Sequence, residues 1–179
     1  MKNKQKTKSK KESAEPAKDI TIEALQSTLP VLENANNNTV VTKTLVLPID
    51  ENGVQQIQTI TYKGKQFLTL TIQQKRQVSE DLKSFIAEHG LEEAKKALKE
   101  GEDKDESVQE ARKIPGFNIE TNLLSETEIE TKTSYDFQVL DVKKASESEY
   151  LKKVGLENLL KNEPEEYIEN RVASGATVQ

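Results

Sequence analysis

The tightest constraint on this chain is residues 40–74, where β-forming residues are dense and two turn signals divide them into three runs. The first run, Val40 to Ile49, reads V-V-T-K-T-L-V-L-P-I. Its β-branched residues tile a pleated surface well. Val41, Leu45, Leu47 and Ile49 share one parity, so they point to one face. Pro48 has no amide hydrogen for a ladder bond, so this strand is an edge or stops there. Asp50-Glu51-Asn52-Gly53 supplies turn chemistry, because Asn and Gly tolerate positive φ. Ile57 to Tyr62 forms the second strand and Lys63-Gly64 a tight reversal. Phe67 to Ile72 forms the third, with Leu68, Leu70 and Ile72 on one face and Thr69 and Thr71 on the other. One face of such a meander is buried and one is wet, and a three-stranded sheet needs a cover on its apolar side.

The cover is expected from helices. Ser79 caps a helix whose first turn holds Glu80 and Asp81 and whose apolar stripe is Leu82, Phe85, Ile86 and His89. Gly90 stops it, and a second helix follows from Leu91 to Glu100, ended by Gly101. Two helices about a glycine raise the question of a helix-turn-helix. The second one, L-E-E-A-K-K-A-L-K-E, offers no Arg, Asn or Gln to read bases, so a plain helical corner is preferred. Val108 to Lys113 adds a turn of helix, closed by Pro115-Gly116. Ile129 to Val139 alternates with period two and forms a long strand, pairing with the meander or with the shorter Phe117 to Leu123 run. Ser146 to Asn162 reads as one helix. A last helix begins at Pro164, a good first-turn residue, and carries Tyr167, Ile168 and Val172.

The fold expected is therefore α+β: a small antiparallel sheet, three-stranded meander plus a long later strand, covered by short amphipathic helices, with a disordered basic N-terminal tail. The chain divides into a basic tail (1–18), a helix, meander and helical corner (19–100), an acidic linker or loop (101–116), a strand region with C-terminal helices (117–172) and a frayed tail (173–179). Within 19–100, Asp19 to Asn34 is expected to be a short helix, kinked or ended by Pro30.

Composition enters through the tail. Seven lysines, Lys2, Lys4, Lys6, Lys8, Lys10, Lys11 and Lys18, stand against Glu12 and Glu15, a local charge of +5 in a chain of net charge −5. The remainder is therefore acidic, at −10. A segment with no apolar periodicity cannot offset its own ordering entropy. Its lysines suit non-specific, salt-sensitive contact with nucleic acid or with an acidic protein surface. It has no arginine for bidentate contacts and no aromatic residue for stacking. Only 34% of residues are hydrophobic and 32% are charged. So thin a core favours association with a partner or with further copies of the chain. No apolar run approaches the roughly 18 residues of a membrane span and no secretory core appears, which points to the cytoplasm or a particle assembled there.

Reactive chemistry is sparse. Without cysteine there is no thiol nucleophile and no thiolate metal site. The sole histidine, His89, cannot build a histidine-rich metal site, and its place near a helix end suits the dipole instead. The seven glycines are dispersed singly, so no phosphate-cradling loop is present. Asp103, Asp105 and Ser107 imitate the start of a calcium loop, but Val108 and Ile114 stand where its glycine and glutamate belong. Asn37-Asn38-Thr39 matches a glycosylation acceptor, with no secretion signal to give it meaning. No cofactor, metal or small-molecule substrate is expected, and no catalytic residue is nominated. The sequence points to a non-catalytic interaction or assembly protein: a structural subunit, assembly chaperone or adaptor, of the kind phages and mobile elements encode. Its contacts would be the lysine arm and the amphipathic face of the last helix, Tyr167, Ile168 and Val172, with another protein or a second copy as partner. The alternative is a nucleic-acid-associated accessory factor using the lysine arm.

Overall fold

In the computed structural model, which describes residues 38–179, the meander is present and extended. Strand β1 (Val40–Val46) pairs with β2 (Gln55–Lys63), and β2 with β3 (Gln66–Gln77). Beyond them, β5 (Glu128–Asp136) pairs with both β3 and β4 (Phe117–Leu123). The two pairings read as alternatives for the long strand occur together. With β6 (Thr177–Val178) on β1, the sheet has the order β4-β5-β3-β2-β1-β6, every neighbour antiparallel. The class is the α+β arrangement expected. The lysine arm (Lys2, Lys4, Lys6, Lys8, Lys10, Lys11), the 19–34 helix and Asn37 lie outside the described residues.

The turn residues work as their chemistry requires. Asp50 Oδ1 accepts from the backbone amides of Asn52 and Val54, both at 2.9 Å, while Gly53 adopts φ +73°. The first strand stops at Val46, before Pro48, and Ile49 beyond it is 64% exposed rather than part of the core face. In the second hairpin the register slips between Thr61 and Tyr62. Tyr62 therefore faces Phe67, and Leu68 is the extra residue, with no counterpart on β2. A bulge of this kind re-aims side chains. It is Phe67, rather than Leu68, that packs against the core with Leu70.

Seven helices follow among the described residues. Helix α1 (Glu80–His89) is capped by Ser79, whose Oγ accepts from the Leu82 amide, and Gly90 ends it at φ +87°. Helix α2 (Leu91–Lys104) does not stop at Gly101. An isolated glycine costs only about 1 kcal/mol in a helix, and the chain continues until Asp105, whose carboxylate caps α3 (Glu106–Arg112) through the amides of Ser107 and Val108. The 101–116 segment is thus largely helical rather than a loop. Arg112 fixes it, bonding Glu102 at 2.9 Å and the Ile119 carbonyl of β4 at 2.8 Å.

The expected Ser146–Asn162 helix is instead three short ones: α4 (Val142–Glu147), α5 (Glu149–Lys153) and α6 (Leu156–Leu160). Ser148, in extended conformation, caps α5, and Gly155 at φ +79° turns the chain into α6. These two residues outweigh the helical periodicity around them. Helix α7 (Pro164–Ala173) begins at Pro164 as read. The terminal segment is not simply frayed: Thr177 and Val178 pair with Val46 and Leu45, and Ala176 is buried.

Cross-strand register sorts the sheet into two faces. Leu45, Ile60, Tyr62, Leu70, Ile119 and Tyr135 lie on one side and join the large buried cluster with Leu151, Leu156 and Ile168 from the helices. Ile129 and Leu123, on the same side, join a second cluster under α1 and α2. The other side carries Thr42, Thr44, Thr59, Thr61, Thr69 and Thr71 and contributes nothing to either cluster. Its threonines bond one another instead, Thr42 to Thr61 at 3.0 Å. The sheet is covered on one side by the described helices, as its alternation demands.

Candidate functional site

On the covered face the alternation is broken by polar residues. Gln56 and Gln58 of β2, Gln74 of β3, and Thr131 and Thr133 of β5 occupy the parity of Ile60, Leu70 and Tyr135. They form the floor of a cavity of about 520 Å³ whose roof is α6, α7 and their flanks, with Tyr150, Asn158, Asn162, Tyr167, Asn170 and Arg171 among its residues. A second hollow of about 410 Å³ shares Gln56, Gln74, Thr131 and Tyr150 and adds Pro48, Asp50 and Arg76. Small-ligand sites span roughly 300–1,000 Å³ and combine apolar walls with a few placed polar groups.

The centre of the site is Gln58. It is fully buried (0% exposed), and its Oε1 accepts from the Tyr167 hydroxyl at 2.9 Å. Its Nε2 has no hydrogen-bond partner among the described residues. Leaving a buried amide donor unpaired costs about 1–3 kcal/mol, so such groups are rare in native structures. Tyr167 holds a second functional group as well. The Arg171 guanidinium, one helical turn on, lies 5.0 Å from the centre of its ring. Of the chain's three arginines, Arg112 is bonded to Glu102. Arg76 and Arg171 have no carboxylate partner among the described residues, and each lines one of the two hollows.

Among the described residues, no Asp or Glu lines the larger cavity. Burial pushes the Tyr135 hydroxyl well above the ordinary tyrosine range, with Tyr150 and Tyr167 adding to the shift. Burial, followed by the nearby carboxylates of Glu102 and Asp105, raises Tyr150 too. Both phenols therefore stay protonated and act as neutral hydrogen-bonding groups. The amides, hydroxyls and guanidinium that line the larger cavity can bind and orient a ligand.

Helix α7 is clasped to the sheet beside this cavity. The Tyr62 hydroxyl donates to Glu165 Oε1, and Lys43 Nζ lies 3.4 Å from Glu165 Oε2. Burial first, and then the Glu165 hydrogen bond, raises Tyr62. Lys65 pairs with Glu163 at 2.9 Å.

The residues proposed from the sequence fall out differently. Tyr167 and Ile168 are buried in the main cluster, so that stripe of α7 is occupied by the protein's own sheet. Val172 is 43% exposed. His89 packs its ring 4.5 Å from that of Phe85, near Glu88. Among the described residues no three His, Cys, Asp or Glu side chains cluster as metal ligands would. No described helix is long and apolar enough to cross a membrane. The sequence reading missed Gln56, Gln58, Gln74 and Arg171. The available signal was Gln58, a polar residue on the parity of Ile60 and Tyr62, together with an arginine four residues after a tyrosine.

No curated protein sequence matches the chain. It is similar to a protein from Streptococcus pneumoniae TIGR4 solved by NMR, at 59% sequence identity, covering 98% of this chain and 100% of that one, with a TM-score of 0.72. The chain belongs to the family whose model, described only as "-like", matches residues 40–171.

Proposed function

We propose that this is a non-catalytic interaction protein, a structural subunit, assembly chaperone or adaptor of the cytoplasm, which receives a polar segment of a partner protein between its sheet and its C-terminal helices. The observation that carries the reading is the buried Gln58 Nε2, unpartnered among the described residues, in a cavity whose lining joins amides and hydroxyls to apolar residues such as Leu70 and Leu156. A stability cost held at one buried position is what a binding site imposes on its own fold. The absence of acids from the described cavity lining and the raised Tyr135 support binding over catalysis. The open threonine face shows no basic stripe among the described residues: Lys63, Lys75 and Lys132 alternate there with Glu120, Glu130 and Asp136. That arrangement favours a protein partner over nucleic acid.

The test is the native size of the full chain in its own cells, with partners identified after affinity recovery. We expect a complex with a defined second protein, lost when Arg171 is changed to Glu and kept when Thr71 on the open face is changed to Ala. A lone monomer under all conditions would overturn the interaction reading. So would turnover of a small molecule that disappears with a cavity substitution.

A further inference from the structure

We infer that the cavity under α6 and α7 is a recognition site for the C-terminal carboxylate of a peptide chain. The inference rests on the reading that this cleft is the binding surface. It follows from the charge and chemistry of the groups that line the cavity.

Among the described residues, Arg171 is the only charged one lining the larger cavity. A site with a single cation and no carboxylate attracts an anion and repels no part of it. One positive charge balances a monoanion such as a carboxylate, whereas a doubly charged phosphate would enter with half its charge unmatched. The guanidinium is held over the Tyr167 ring, and stacking of this kind restricts it while leaving edge N–H groups for a planar, bidentate acceptor.

Gln58 supplies the second point. The same Tyr167 that carries Arg171 on its ring fixes Gln58 Oε1 with its hydroxyl. That bond leaves Nε2 as a fixed neutral donor. One aromatic side chain thus sets both a cation and an amide N–H₂ in the same cavity. A chain terminus presents the matching pair, a carboxylate and, one peptide unit back, a neutral carbonyl acceptor. The remaining walls, with Gln56, Gln74, Asn158 and Asn170 amides and Thr131 and Thr133 hydroxyls, offer donors and acceptors together, as a peptide backbone requires. The buried donor then becomes satisfied on binding, which adds the cost of leaving it unpaired to the affinity.

The experiment uses the full-length, isotopically labelled chain and three probes: acetyl-trialanine with a free C-terminus, the same peptide amidated, and an amidated peptide with an internal glutamate. Side-chain resonances of Gln58 and Arg171 are followed by NMR titration. The free acid should give saturable shifts at both side chains and bind at least about tenfold tighter than its amide. Arg171→Gln should abolish that preference, and Arg171→Lys should restore only part of it. Gln58→Met should weaken the free acid while Thr71→Ala leaves it unchanged. Equal binding of acid and amide, or no saturable shift with any probe, would overturn the carboxylate assignment. Equal binding of the internal-glutamate peptide would overturn the assignment to a chain terminus. If the partner recovered from cells is lost with Arg171→Glu although acid and amide bind alike, this inference alone fails. If recovery is indifferent to Arg171→Glu, the reading beneath it fails.

Discussion

The unpaired Gln58 donor can be weighed directly by removing the Gln58 amide together with the Tyr167 hydroxyl that its Oε1 accepts from. In Tyr167→Phe the hydroxyl is lost, and both ends of a fully buried amide are stranded, a loss of about 1–3 kcal/mol. In Gln58→Met the orphaned Nε2 disappears, a gain of about 1–3 kcal/mol, but the Tyr167 hydroxyl loses its acceptor at a similar cost. The two terms nearly cancel, so Gln58→Met should be close to neutral. The double variant Gln58→Met/Tyr167→Phe removes every stranded group and forfeits one net hydrogen bond of about 1 kcal/mol. It should match the wild type or exceed it by up to about 2 kcal/mol, and exceed Tyr167→Phe by at least about 1 kcal/mol. The phenylalanine ring can still carry Arg171, so the packing of α7 is preserved. Urea denaturation with an unchanged m-value is the assay, and the four proteins form a double-mutant cycle. A double variant no more stable than Tyr167→Phe would refute the claim that Gln58 holds an unmet donor. The same variant should also bind a carboxylate-terminated peptide more weakly, placing stability and binding in opposition at one residue.

Two glycines make a contrasting pair in the same assay. Gly101 lies inside α2 with open space where a Cβ would stand, so Gly101→Ala should stabilise the protein by about 0.5–1 kcal/mol. At Gly116, φ is +81° and an added Cβ would sit 2.5 Å from the Asp136 carbonyl oxygen and 2.7 Å from the Leu140 nitrogen. Gly116→Ala should therefore cost more than about 2 kcal/mol. Tyr135, whose phenol burial raises, is held neutral by the fold. Its contribution is complete below the unfolded tyrosine value of about 10 and is lost as pH rises beyond it. Tyr135→Phe should move the alkaline unfolding midpoint upward, as followed by circular dichroism.

Much of the scaffold was legible because its determinants are local. Asp50 closes its own turn, Ser79 caps α1 three residues before Leu82, and Pro164 opens α7. Period-two alternation named β5, since strand parity needs no knowledge of what lies opposite, although the strand ends at Asp136 and not at Val139, which is exposed. Errors arose where a neighbouring residue changed the local rule. The bulge at Leu68 reversed parity within one strand. Gly101 stayed in its helix because no cap or proline obliged it to stop, whereas Ser148 and Gly155 broke a periodic stretch into three. The two-residue β6 was invisible because so short a segment acquires its conformation from the β1 edge it meets.

What the sequence settled alone was the three-stranded meander with its turns, the starts of α1 and α7, and that one sheet face must be covered. It could not say which polar residues lie beneath the cover. Gln58 and Tyr167 are 109 positions apart, and Lys43 and Glu165 are 122 apart. Neither contact leaves a mark on adjacent residues. Burial is a property of where α6 and α7 land, and an amide becomes a costly, selective donor only after a distant helix has removed it from water.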